Sequence, residues 1–305
     1  MRRRKFNQVL ANFLQFLHIC IIIILVFIWA TLNYSSHVTN TAFNAIHLVN
    51  TTQDKSDKKI RILIVPGHEP NFGGAEFRGI KERDLAVSLG EDLEALLKQN
   101  GRYEVFITRQ SESWNPVFAD YFKNNWNDII VWAKSKRQDE LALIEEGLLV
   151  KPLPQIRHNT ASRDVAIRLY GITKWANENQ IDLMLHIHFD DYRGHANHVG
   201  KYSGFTIYVP VLEYSNGLKS HPMANSIFKE LSKHNPVSNF KTESGIVDEP
   251  RLIAIGSHNT AESASLLIEY GYIYEKKFSN QTTRSQAISD LANQTYLGIN
   301  NFFAK

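Results

Sequence analysis

Apolar and polar positions divide the chain into three stretches. Phe13 to Tyr34 is almost uniformly apolar, with an uncharged centre, ICIIIILVFIW. From Ser35 to Lys58, Ser, Thr, Asn, Asp and Lys predominate. Beyond Lys59, short apolar runs alternate with longer segments of helical period, which is the signature of an α/β fold.

The β-branched run Ile60–Val65 predicts a buried strand. Glu82–Asn100 predicts a helix, with Leu85, Leu89, Leu93, Leu96 and Leu97 on one stripe and Asn100-Gly101 as its stop. Tyr103–Thr108 completes a strand–helix–strand unit. Between residues 110 and 160 the pattern is wholly helical. Phe118, Phe122, Trp126, Ile129 and Trp132 recur at helical spacing, and Asp139–Val150 predicts a second helix. This excursion reads as an insertion. It either packs its aromatic stripe on the domain or covers a site until an activating partner moves it. Helices then follow at Ser162–Glu178, His221–His234 and Ser285–Phe303, and strands at Ile181–Ile187, Ser203–Val209, Leu252–Ile255 and Ser265–Glu269. The expectation is one domain over residues 59–305: a mixed, mostly parallel central sheet flanked by helices, with the 110–160 insertion.

The first apolar run is about long enough to cross a bilayer. Arg2, Arg3, Arg4 and Lys5 precede it, and no small-x-small cleavage site follows. The chain is therefore expected to keep a signal-anchor at 13–34, with residues 1–12 cytoplasmic. Residues 35–58 would be a flexible tether. The body would lie outside the cytoplasm, in the periplasm or on the cell-wall side of the cell membrane.

Charge and cysteine content narrow the chemistry. The formal charge is +3, but the first 34 residues hold four basic groups and no acid, leaving −1 on the remainder. Such a body has no electrostatic footprint for nucleic acid. The single cysteine, Cys20, lies in the apolar run, which excludes a disulfide or thiolate metal site in the body. A metal there must be held by His and carboxylate.

Three residues at strand ends or helix starts fit that role: His68 after Pro66-Gly67, Glu82 at the mouth of its helix, and His188 near the end of a strand. Two imidazoles and a carboxylate leave an open zinc position, the hydrolytic arrangement. Each alone is also explained blandly, as a hydrogen-bonded His or a dipole-favoured Glu. Glu269 ends a strand so apolar that a carboxylate there needs a reason. It can be a salt-bridged structural acid or a general base. Sites in open α/β sheets gather at the carboxyl ends of strands, where His68, His188 and Glu269 would lie.

These residues stand in four motifs: VPGH at Val65–His68, GIKERD at Gly79–Asp84, HIHFDD at His186–Asp191 and LLIEYGY at Leu266–Tyr272, with VFITR at Val105–Arg109 between them. Their order resembles the zinc-dependent N-acetylmuramoyl-L-alanine amidases of the amidase type 3 family. The resemblance implies a zinc ion (Zn2+) held by His68, Glu82 and His188, with Glu269 as the catalytic glutamate. It implies peptidoglycan as the partner, through the amide between N-acetylmuramic acid and L-alanine. The sequence departs from the family at Val65, Glu69, His186 and Thr206, and lacks the usual Ser-Asn after Tyr272. Those departures touch substrate preference and keep open another zinc amidohydrolase or peptidase of cell-wall peptides. A wall-binding protein that keeps the fold without catalysis is the other rival, against which the intact His68, Glu82 and His188 set argues. His186 reads as a neighbour of the metal or a substrate-side group. Glu69 reads as solvent-facing or as a substrate contact.

Overall fold

A strand with neighbours on both edges and helices on both faces needs apolar residues along its buried length, and Ile60–Pro66 (β1) has them at every position but Arg61, near its start. In the computed structural model, which describes residues 58–151, 161–192 and 198–304, β1 lies parallel to Tyr103–Ile107 (β4) on one side. Leu183–Asp190 (β5) lies parallel to it on the other. Between β1 and β4 come a two-residue hairpin, Glu76–Phe77 (β2) with Ile80–Lys81 (β3), and the helix Glu82–Gln99 (α1). Ala264–Tyr272 (β8) runs parallel to β5. Thr206–Val209 (β6) is antiparallel to β8, and Gly245–Asp248 (β7) extends the sheet beside β6. The six-stranded order is β4-β1-β5-β8-β6-β7, a mixed, mostly parallel sheet.

Strict alternation sorts side chains onto two faces. Ile62 and Ile64 of β1, Leu185 and Ile187 of β5, and Leu266 and Ile268 of β8 face one core. That core is closed by α1, Gly217–Leu231 (α4) and Gln281–Phe303 (α5). Leu63, Val65 and Met184 face a second core under Pro116–Glu145 (α2) and Arg163–Glu178 (α3). His186, His188 and Glu269 fall between residues of the first set, so alternation turns them toward the second face. Residues 59–305 form one compact unit.

The insertion departs from expectation. The two helices predicted within it are one, α2, running unbroken through the polar stretch 133–138. Asn115 caps it, accepting from the Val117 amide at 3.2 Å, with Pro116 at the first helical position. A kink at Asn125 (φ −118°, ψ 16°) interrupts the ladder, and the Asn125 side-chain Nδ2 donates to the Tyr121 carbonyl at 3.0 Å. Gly147, at φ 74°, follows the end of the helix. Phe118, Phe122 and Ile129 are buried in the second core beside Trp175 of α3. Gly171 lets α3 approach closely, since a Cβ there would stand 2.9 Å from Ile129 and 3.0 Å from Phe122. Near its far end, buried Glu140 accepts from the Tyr214 hydroxyl and from His258 Nδ1, both at 2.6 Å. This ties α2 to the loop around residues 252–260.

Other boundaries shift for local reasons. Ile181 closes α3 through its amide to the Ala176 carbonyl, so β5 starts at Leu183 and runs on to Asp190. Leu252–Ile255, expected as a strand, contains a 3-10 turn at Ile253–Ile255. Leu252 and Ile255 plug the space beside Tyr208 and Leu267, a task any short apolar segment can do. The expected membrane helix at 13–34, and the tether apart from Lys58, lie outside the described residues. Among the described residues, no helix is long and apolar enough to cross a membrane.

Phe122→Ala is expected to cost about 3–4 kcal/mol, as for other buried Phe truncations, with the urea midpoint falling accordingly. A loss below about 1 kcal/mol would show the insertion to be dispensable to the core.

Candidate active site

The end of β1 is shaped by close approach. Gly67 donates its amide to the Ile187 carbonyl at 2.8 Å, and a Cβ at Gly67 would meet the His188 ring at 2.5–2.7 Å. Only glycine lets the turn pass that ring. The turn then puts His68 in the left-handed region, φ 69°, an uncommon conformation for a residue with a Cβ. Arg109, fully buried at the end of β4, holds it there. Its Nε donates to the Pro66 carbonyl at 3.2 Å, and its terminal amino groups donate to the carbonyls of Gly67, Arg83 and Gln110. Burial lowers the Arg109 pKa to about 10, which leaves it charged at neutral pH.

Glu82 opens α1, and its buried carboxylate is met from several sides. Oε2 accepts from the Ala75 amide at 2.8 Å, and Oε1 accepts from the Phe189 amide at 3.1 Å. His188 Nδ1 donates to Oε1 at 3.0 Å. His68 Nε2 approaches Oε1 at 2.7 Å but is buried without an aligned hydrogen bond. Burial alone would raise the Glu82 pKa. The attraction of His68, together with the hydrogen bond and charge of His188, overrides it and holds the carboxyl well below its ordinary range.

His68, Glu82 and His188 each offer one ligand atom, all within 4.8 Å of one another. The rings of His68 and His188 are 4.8 Å apart at 70°. A buried imidazole nitrogen without a partner, beside a charged carboxylate and a second imidazole, is a donor set that suits a divalent cation such as zinc. Gly74, at φ 82°, leaves room for the group, since a Cβ there would stand 2.9 Å from His68 and 3.1 Å from Glu82.

Glu269 lies opposite His188 in the β5–β8 register and opposite Thr206 in the β6–β8 register. It is buried, and its Oε2 has no hydrogen-bond partner. Burial raises its pKa well above 4.5, and the charges of Asp190, Glu82 and Glu243 push the same way. A carboxyl so placed can exchange a proton with a reacting group rather than serve as an ion-pair anchor. His186 is buried and neutral, its pKa lowered to about 3 by burial and by His188. The hydroxyl of Thr206 donates to the Glu243 carbonyl.

Of the two readings left open for Glu69, burial rules out the solvent-facing one. It is buried, and Arg168 Nε donates to its Oε1 at 2.7 Å. The role of Arg109 went unread in the sequence. Its signal is an Arg just past a strand that lies beside β1. All four predicted site residues line one groove of about 970 Å³, together with Glu69, Arg168, Asp190 and Glu243.

A family model described as N-acetylmuramoyl-L-alanine amidase matches residues 149–301. The match contains His188 and Glu269 but begins after His68 and Glu82. A protein of Buchnera aphidicola subsp. Acyrthosiphon pisum, provisionally named an N-acetylmuramoyl-L-alanine amidase, is 23% identical over 256 residues. That alignment covers 81% of this chain and 96% of the relative. The fold is shared with solved structures. The N-acetylmuramyl-L-alanine amidase Ami1 of Mycobacterium abscessus superposes with a TM-score of 0.54 at 15% identity, over 80% of this chain and 98% of that one. The CwlD amidase of Clostridioides difficile, solved in complex with the GerS lipoprotein, gives 0.53 at 17% identity, over 81% and 99%.

The raised pKa of Glu269 has a consequence for stability. The folded state holds this proton more tightly than the unfolded chain, so folding is penalised as pH rises from about 4.5 through the folded pKa. Glu269→Gln removes the penalty. By calorimetry in chelator, the variant is expected to be more stable than wild type near pH 8, the gap closing toward about pH 4.5. A wild type at least as stable as the variant at the higher pH contradicts this.

Proposed function

Because this chain belongs to the N-acetylmuramoyl-L-alanine amidase family, we propose that it is a zinc-dependent peptidoglycan hydrolase. It would cleave the amide between the lactyl group of N-acetylmuramic acid and L-alanine. The observation that carries the reading is convergence. His68, Glu82, His188 and Glu269, spread over 200 residues and four separate segments, line one groove with two buried polar atoms left unpartnered.

His68, Glu82 and His188 would hold the zinc, which when bound supplies Lewis-acid polarisation of the scissile carbonyl. Glu269 would take a proton from the attacking water at Oε2 and return it to the departing amide nitrogen. Its environment supports that cycle, because burial and the neighbouring carboxylates raise its affinity for a proton. The Ala75 and Phe189 amides keep Glu82 oriented. Arg109 keeps the His68 turn from relaxing.

Full-length protein in detergent is expected to release intact stem peptides from purified sacculi. Chelation abolishes the activity, zinc restores it, and Glu269→Ala lowers kcat by about 10²–10⁴-fold. Products with shortened stems would instead identify a peptidase. Activity indifferent to both chelator and Glu269→Ala would overturn the mechanism.

We also propose that residues 13–34 anchor the enzyme in the cell membrane with the domain outside the cytoplasm. The support is the uncharged apolar run behind four basic residues. Fractionation should find the intact chain in membranes, with its domain degraded by protease added outside the membrane. Recovery of a soluble chain shortened at its N-terminus would refute the anchor.

A further inference from the structure

The groove is strongly acidic. Glu69, Glu82, Asp190, Asp191, Glu243 and Glu269 line it, and among its described residues Arg168 is the only Lys or Arg. The cation proposed at His68, Glu82 and His188 would offset the carboxylates near it. Away from that site, the guanidinium is the one place among the described lining residues that favours an anionic group.

Arg168 is held for contact rather than buried for stability. Its Nε donates to Glu69, whose side chain is 7% exposed, while its own is 21% exposed. Trp126, from the insertion helix just past its kink, lies 5.8 Å from the guanidinium carbon. Guanidinium carries five N–H donors, and Glu69 takes the Nε edge. The terminal amino groups have no hydrogen-bond partner among the described residues. That free edge is the fork that matches a carboxylate with two parallel bonds. Glu69 is also covalently next to His68, so the ion pair fixes the guanidinium relative to the candidate metal ligand.

We propose that Arg168 is a specificity-determining residue that binds a free carboxylate of the stem peptide, with Glu69 and Trp126 as its positioning residues. This rests on the amidase reading and adds the substrate class: peptides whose carboxyl groups are ionised. It also gives the insertion a part in recognition, through Trp126. Lysine would not replace the arginine, because an ammonium keeps the charge but lacks the fork.

The test uses zinc-loaded full-length protein in detergent and two disaccharide-tetrapeptides, one with free peptide carboxyls and one with those groups converted to amides. Wild type is expected to favour the free acid by about 10-fold or more in kcat/KM, mostly through KM, as befits one charge-assisted bidentate contact. Arg168→Gln should bring the ratio to within about 2-fold of unity, and Arg168→Lys, which retains the Glu69 pair, to an intermediate value. Equal cleavage of both peptides by wild type overturns the proposal and leaves the amidase reading standing. So does a full preference retained by Arg168→Gln or, should that variant not fold, by Arg168→Lys. Cleavage of neither peptide by wild type overturns both.

Discussion

A carboxylate taken out of water must be met by donors, and Glu82 is met from three directions. Ala75 reaches it from the loop after β1, Phe189 and His188 from β5, and His68 from the turn. An ion left unanswered at that depth would cost several kcal/mol. The start of α1, the end of β5 and the glycine-rich loop are therefore fixed relative to one another by one charge. The glycines follow from the same demand. Gly67 and Gly74 stand where backbone must pass within van der Waals contact of an imidazole, and any side chain would push the ring away from the carboxylate.

Much of this was legible in the sequence because local rules decided it. Period-two alternation in LMLHIHFD and ASLLIEYGY puts His188 and Glu269 on one face, and Pro66-Gly67 marks the turn that exposes His68. Failures came where distance or ambiguity ruled. The insertion read as two helices because residues 133–138 are polar, yet Lys, Arg and Gln are good helix formers and no Gly or Pro interrupts them. Leu252–Ile255 is too short for its period to separate strand from turn. The strand β7, four half-exposed residues at the sheet edge, leaves almost no pattern. Long-range polar pairs such as Glu69–Arg168 and the Arg109 clamp have no local signature at all. Only the folded chain brings them together.

The long helix α2 acts on the site from behind. Its first half is part of the second core, and Trp126 flanks the guanidinium at the groove wall. Through Glu140 its second half grips His258 and Tyr214, steadying a loop whose residues Leu252, Ile253 and Ala254 also line the groove. An insertion that looks peripheral in the sequence thus braces the groove at two places.

The sheet order carries a consequence for when the protein can become active. β8 sits between β5 and β6 although it is the last strand made. A nascent chain, built N-terminus first, presents His68, Glu82 and His188 long before it has Glu269. Until β8 threads into the gap, β5 has a bare edge and the three proposed ligands face a groove without Glu269. Every unfinished chain therefore lacks the base proposed for the reaction. For an enzyme whose substrate would be the wall that contains its own cell, assembly order is itself a safeguard.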